Sequence, residues 1–172
     1  FNGMSGLDHK NPGLPAFAIN TDRVFVELNP DGTHVHPELL KLTWRAKRSD
    51  RILLISDAVV SAGESPGEYE YMGREVTATD TGVYYKKEKT LVGSRVLLNE
   101  GVIRFMDYTG APLCEAISMA SLNQATLLGI ADRKGSLEKN KDADVVVFSE
   151  DFGKAKYAFF AGKPIVWDGH KK

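Results

Sequence analysis

Ile52-Leu53-Leu54-Ile55-Ser56-Asp57 is four aliphatic residues in a row closed by two polar ones. A strand with one wet face would alternate apolar and polar residues. An unbroken run of this length predicts a strand covered on both faces, the situation of a parallel sheet under helices. Upstream, Val24-Phe25-Val26-Glu27-Leu28 is β-branched and aromatic and ends at the turn signal Asn29-Pro30-Asp31-Gly32. Between the two runs, Pro37 opens a helical pattern carried by Leu39, Leu40, Leu42 and Ala46. Glu38 lies in its first turn, and Arg45, Lys47 and Arg48 at its end. Strand, helix and strand with short turns make a βαβ unit, so the expected class is α/β.

Downstream the pattern changes. Between Gly67 and Thr90 the stretches 68–72, 75–79 and 83–86 are β-like and separated by Gly and Asp turns, predicting a small inserted hairpin or meander. Helical spacing is expected over 97–108 and again over 112–130, where Leu113, Ala116, Ile117, Ala120, Leu127 and Leu128 supply an apolar stripe. Cys114 sits beside that stripe and is expected to pack there. After Lys134-Gly135, strands are predicted over 143–148, 156–161 and 164–167, with Gly162-Lys163 as a tight turn. They form a separate unit at the end of the main body.

The 172 residues carry 22 Lys and Arg against 23 Asp and Glu, a net charge of −1, with 42% hydrophobic residues. That composition excludes a disordered or collagen-like chain. A near-neutral balance without a basic block leaves no electrostatic footprint for nucleic acid. One cysteine excludes an intramolecular disulfide framework and a cysteine-only metal cage. Apolar runs such as Val145 to Phe148 fall far short of the ~20 residues of a membrane span. No signal-peptide pattern opens the chain. A reducing, cytoplasmic setting without membrane contact is therefore expected. The opening Phe1-Asn2-Gly3-Met4, without an initiator Met, suggests a piece of a longer protein.

Chemistry is expected where the parallel strands end. Asp57 follows the buried run directly, and polar residues at such strand ends face the ligand crevice of parallel α/β folds. A helix cap or a loop-fixing carboxylate is the alternative role. His34 and His36 follow the other strand in Asp31-Gly32-Thr33-His34-Val35-His36-Pro37. A His-x-His pair suits a metal, but in a loop before a helix its geometry is open. Asp57 and His34 are expected to emerge at the same sheet edge. Leu91-Val92-Gly93-Ser94 is read as the approach to a helix, with Ser94 either a cap or part of an anion site. Lys86-Lys87-Glu88-Lys89 is expected to be a solvated hairpin tip.

Taken together, several stretches resemble the N-acetylglucosamine-6-phosphate deacetylases of the amidohydrolase superfamily. They are Phe1-Asn2-Gly3-Met4, His9-Lys10-Asn11-Pro12-Gly13-Leu14, Asp31-Gly32-Thr33-His34, Ser56-Asp57-Ala58, Thr90-Leu91-Val92-Gly93-Ser94, Met119-Ala120-Ser121-Leu122-Asn123 and Lys134-Gly135-Ser136-Leu137. The run Lys141-Asp142-Ala143-Asp144-Val145-Val146-Val147 is common across the superfamily and less specific. The resemblance implies the C-terminal part of a (β/α)₈ TIM-like barrel plus C-terminal strands of a small β-sandwich. Residues 1–130 would belong to the barrel, with a β-hairpin insertion around 67–90, and 131–172 to the sandwich.

It further implies metal-dependent hydrolysis of N-acetylglucosamine 6-phosphate to glucosamine 6-phosphate and acetate. Asp57 would take a proton from the metal-activated water and give it to the leaving amine. Asn2 and Gly3 would contact the phosphate through backbone, Asp31, Gly32, Thr33 and His34 would line the sugar site, and Leu91, Val92 and Gly93 would form another substrate loop. Lys10 stands where the family usually has Arg, keeping the charge and losing the bidentate fork. The family's metal, zinc or iron, is held by a Glu and two His upstream of Phe1, so no metal ligand is expected here. His9, His34, His36 and His170 with Asp57 fall short of a set. The resemblance also implies a homo-oligomer, a dimer, as the parent enzyme. A non-catalytic fragment or interaction module of amidohydrolase origin, or another amidohydrolase of the dihydroorotase or amidase kind, are the alternatives. With the neighbouring strands absent, the edge around Ile52 to Ile55 is expected to lie uncovered and to promote self-association.

Overall fold

The computed structural model describes residues 1–80 and 82–166. Strands β1 (Val26–Leu28) and β2 (Ile52–Leu54) pair in parallel, with Val26 opposite Ile52 and Leu28 opposite Leu54. Both are shorter than the apolar runs that announce them. Helix α2 (Pro37–Ala46) joins them. His36 caps it, its Nδ1 accepting the Glu38 N–H at 3.2 Å, and Pro37 occupies the first turn, where its missing N–H costs nothing. All three β2 residues are buried, as a strand covered on both faces must be.

Behind β2 pack helices α3 (Leu98–Thr109), α4 (Leu113–Ala120) and α5 (Leu122–Leu127). Gly110, at φ +80°, ends α3 in the left-handed conformation, and its N–H returns to the Met106 carbonyl. The single helix expected over 112–130 breaks at Ser121, whose backbone leaves helical angles at φ −144° and ψ −74°. There the Ser121 Oγ donates to the Gly135 carbonyl, and a Cβ on Gly135 would lie 2.8 Å from the Leu122 Cα. A turn that close leaves no room for an undeviating helix. Cys114 is exposed, so the packing role expected for it is not found. The expected stripe is not the buried face either: Leu113, Ile117, Leu127 and Leu128 are exposed, and α4 buries Ala116 and Met119.

The outer edge of β2 is not bare, contrary to expectation. Asn123 Nδ2 donates to the carbonyls of Ser49 (2.8 Å) and Ile52 (2.7 Å), and Gln124 Nε2 donates to that of Leu54 (2.9 Å). Side-chain amides from α5 therefore stand where a neighbouring strand would pair. One further element escaped the sequence reading, helix α1 (Gly13–Asn20). The buried Lys47 ties α1 to the end of α2 by donating to the carbonyls of Ala18 and Thr21. Burial holds that ammonium below the usual lysine range.

Leu28, Leu40, Ile52, Leu54, Val102, Phe105 and Met119 form the main core, with Phe105 fully enclosed. The insertion is an antiparallel sheet of β3 (Gly67–Tyr71), β4 (Arg74–Ala78), β5 (Val83–Tyr85) and β6 (Leu91–Gly93), with its own cluster of Val76, Ala78 and Val83. The expected meander thus gains a fourth strand. Lys86, Lys87, Glu88 and Lys89 form its exposed β5–β6 tip, as expected. Strands β7 (Val145–Phe148), β8 (Ala155–Phe160) and β9 (Lys163–Pro164) make the last sheet. Ala161 and Gly162, at φ +49° and +76°, form the β8–β9 turn, one residue earlier than expected. The Trp167 end of the third predicted strand and His170 lie outside the described residues.

Candidate active site

Because β1 and β2 run parallel in register, the residues after them emerge side by side. Asn29 follows β1 and bridges to the other strand, its Nδ2 donating to the Ser56 carbonyl at 3.1 Å and its Oδ1 accepting the Asp31 N–H. Asp31 then folds its own loop, Oδ1 accepting the N–H groups of Thr33 (2.8 Å) and His34 (2.9 Å). Its other oxygen, Oδ2, lies 2.6 Å from His34 Nδ1. The far nitrogen of that ring, Nε2, is 3.1 Å from Asp57 Oδ2. Asp31, His34 and Asp57 thus form one chain, its inner members buried (side chains 1% and 5% exposed) and Asp57 half exposed (50%).

Asp57 adopts φ +49°, a left-handed conformation that Asp tolerates better than most residues but still at a cost of order 1 kcal/mol. The surroundings that hold it are explicit. Ser94 N–H donates to the Asp57 carbonyl at 2.8 Å, and Val59 N–H donates to that of Ser94 at 2.9 Å. This bridge brings the end of β6 against the strand end. Gly93 is required there, since a Cβ would lie 2.6 Å from Val59 Cγ1 and 2.8 Å from the Asp57 oxygen. Gly32 is required too, at φ +82° with Tyr108 Oη 2.9 Å from where a Cβ would be. From α3, Arg104 Nη1 donates to the Asp31 carbonyl.

A cavity of about 660 Å³ opens beside this chain, lined among others by Asn2, Asn29, His34 and Asp57. That volume suits a small molecule. Of the expected site residues, Asn2, His34 and Asp57 meet at this cavity, and Asp31 stands behind His34. Gly32 and Thr33 form the loop between them. Gly3 sits in the adjacent exposed turn at φ +73°. Leu91 approaches Thr33 across Gly82. Val92 instead packs on the insertion's own core. Lys10 lies apart, in an exposed turn where Asp8 accepts its backbone N–H.

Two expectations are corrected. Ser94 is neither a helix cap nor an anion site: it is buried, accepts the Val96 N–H on its Oγ, and α3 starts only at Leu98. His36 serves as the α2 cap, so the His-x-His pair does not converge. Asn29 and Arg104 belong to the site network and were not picked out. The signal for Asn29 was its place directly after β1, at the same end of the parallel pair as Asp57. Arg104, on a helix 73 residues from Asp31, left none.

The described residues do not fit a resident metal. Both nitrogens of His34 face carboxylates, and no group of three or more His, Cys, Asp or Glu among the described residues could hold an ion. Among them, too, no helix is long and apolar enough to cross a membrane.

Residues 31–166 match the Amidohydrolase family. The chain is 37% identical to the N-acetylglucosamine-6-phosphate deacetylase of Bacillus subtilis (strain 168) over 88% of its own length and 38% of that protein's. It is 38% identical to a putative N-acetylgalactosamine-6-phosphate deacetylase of Escherichia coli (strain K12), over 85% of this chain and 86% of that one. Among solved structures, it superimposes with a TM-score of 0.86 and 26% identity on the N-acetyl-D-glucosamine-6-phosphate deacetylase of Mycobacterium smegmatis, solved as a mutant in complex with N-acetyl-D-glucosamine-6-phosphate. That match covers 97% of this chain and 44% of the other. The chain thus spans about two-fifths of most of the relatives it matches. With the match extending from the Asp31 loop through Asp57 to the last described strand, the chain belongs to the amidohydrolase family.

Proposed function

We propose that this chain is the C-terminal portion of a sugar-phosphate deacetylase. Water hydrolyses the acetamide of N-acetyl-D-glucosamine 6-phosphate, giving D-glucosamine 6-phosphate and acetate. Residues 1–130 belong to a (β/α)₈ barrel and 131–172 to a small β-sandwich, in a dimeric cytoplasmic enzyme. The observation that carries the reading is Asp57, half exposed on the lining of the cavity of about 660 Å³ and beside His34. Its carboxylate accepts a proton from the attacking water and returns it to the leaving amine as the C–N bond breaks. Asn2 and Gly3 offer backbone to the phosphate, Lys10 adds charge, and the loops at 31–34 and 91–93 border the sugar. A divalent metal, zinc or iron, belongs to the whole enzyme, its ligands outside the described residues.

Acetate release by the full protein, supplied with zinc or iron, tests the reading. Asp57→Asn keeps the shape and cannot carry the proton, so turnover falls ~10²–10⁴-fold. A loss below about tenfold makes Asp57 a loop-fixing residue. Equal kcat/KM for the unphosphorylated sugar refutes phosphate recognition. The galactosamine epimer is the second reading, favoured by the E. coli relative matched over most of its length. Comparing the two sugar phosphates decides between them. Residues 1–172 alone are expected to bind no catalytic metal and release no acetate.

A further inference from the structure

We infer that Asp31 is a positioning residue: it does not touch the sugar but fixes the proton of His34 on Nδ1, so that the nitrogen facing Asp57 is the unprotonated Nε2. The inference deepens the proposed function and rests on it for the role of Asp57. Two groups contend for Nδ1, Asp31 Oδ2 at 2.6 Å and Asn29 Nδ2 at 3.1 Å. An ionised carboxylate can only accept. Were Nδ1 to accept from Asn29, its lone pair would face that of Asp31 at 2.6 Å with no proton between them. Asn29 is also oriented by other bonds, with Oδ1 on the Asp31 N–H and Nδ2 on the Ser56 carbonyl. Nδ1 therefore carries hydrogen toward Asp31.

At the other end of the ring, Nε2 lies 3.1 Å from Asp57 Oδ2. Nε2, the nitrogen that Asp31 leaves without a proton, is then the group to which Asp57 passes the proton it takes from water and from which it draws it back for the amine. Asp31 cannot reach a substrate, since its side chain is 1% exposed and both its oxygens are engaged inside the protein. Its backbone is held as well, the N–H by Asn29 and the carbonyl by Arg104.

Asp31→Asn inverts this arrangement without changing its shape. The amide Oδ1 goes on accepting the N–H groups of Thr33 and His34, which leaves Nδ2 facing His34 Nδ1. A donor there forces Nδ1 to accept and moves the ring proton to Nε2. Proton–nitrogen correlation spectra of the imidazoles in the full protein read this directly, with His34→Asn identifying the signal. Expected are a protonated Nδ1 in the native protein and in Asp57→Asn, and an unprotonated Nδ1 in Asp31→Asn. An unprotonated Nδ1 in the native protein overturns the inference whether or not the variant folds. So does a folded Asp31→Asn that keeps its Nδ1 proton. In the deacetylase assay, Asp31→Asn lowers kcat ~10²–10⁴-fold at nearly unchanged KM. A raised KM at native kcat identifies a sugar contact and overturns it. If the full protein releases no acetate at all, the proposed function fails, and the spectra still decide the ring's proton.

Discussion

Gly93→Ala tests how tightly β6 holds the strand end that carries Asp57. An added methyl would lie 2.6 Å from Val59 Cγ1 and 2.8 Å from the Asp57 carbonyl oxygen, both inside contact distance. Neither neighbour yields easily. Val59 is β-branched with a stiff χ1, and the Asp57 oxygen is backbone in a left-handed residue. Overpacking of this kind costs ~1–3 kcal/mol. Relief by backbone movement would loosen the Ser94-to-Asp57 and Val59-to-Ser94 hydrogen bonds, each worth ~0.5–1.5 kcal/mol. A total of about 2–6 kcal/mol follows. At a urea slope of ~2 kcal/mol per molar, the midpoint drops by roughly 1–3 M. On the proposed role of Asp57, moving it by about 1 Å also costs ~10²-fold in turnover. Urea unfolding and acetate release in the full protein measure both. A midpoint within about 0.3 M of native and a kcat within about twofold would refute the reasoning.

Asn123→Asp replaces the donor facing the Ser49 and Ile52 carbonyls with an acceptor, so two carbonyls lose their partner and about 2–4 kcal/mol of stability goes with them. Thermal unfolding checks this, and a change under about 0.5 kcal/mol would show that other groups cover that edge. Acid acts on the last sheet: hydrogen bonds from Lys134 hold Asp142 and Asp144 below the usual carboxylate range, helped by Arg133 at Asp142 and by the Ala161 N–H at Asp144. A depressed carboxyl contributes stability above its unfolded value and loses it as pH falls through the native one. Exchange protection at the Ala161 amide, bonded to Asp144 at 2.8 Å, is therefore expected to fall below about pH 4. Undiminished protection at about pH 2 would refute it.

The parallel pair was legible because burial on both faces leaves an unbroken apolar run, and the run itself named the strand end where Asp57 sits. Helix α2 was legible because its signals are local: Pro37, Glu38 and the spacing of leucines. Helix α1 was not. It has no side-chain cap and no acidic or basic residue at either end, and one buried residue, Pro15, which signals a break as readily as a first turn. Strand β6 is not legible as a strand because three residues carry no period of their own, and β5 supplies the pairing that makes them one. The break at Ser121 was hidden for a similar reason. Its cause, the turn at Gly135, lies 14 residues away. Asp57 and His34 were found by position. The order of the chain Asp31–His34–Asp57 depends on which way each side chain turns, and spacing does not carry that.

The amides that cover β2 come from far along the chain. Asn123 and Gln124 follow their carbonyl partners by 71 and 70 residues. On a ribosome adding ~5–20 residues per second, the Ile52 and Leu54 carbonyls wait roughly 4–14 s for them. Through that interval the nascent polypeptide presents an aliphatic strand with one open hydrogen-bonding side, the kind of segment that holdase chaperones bind and that pairs with its own copies. Synonymous codons that slow translation between positions 55 and 123 would lengthen the exposure without altering the finished protein, so yield and native stability can diverge for this gene.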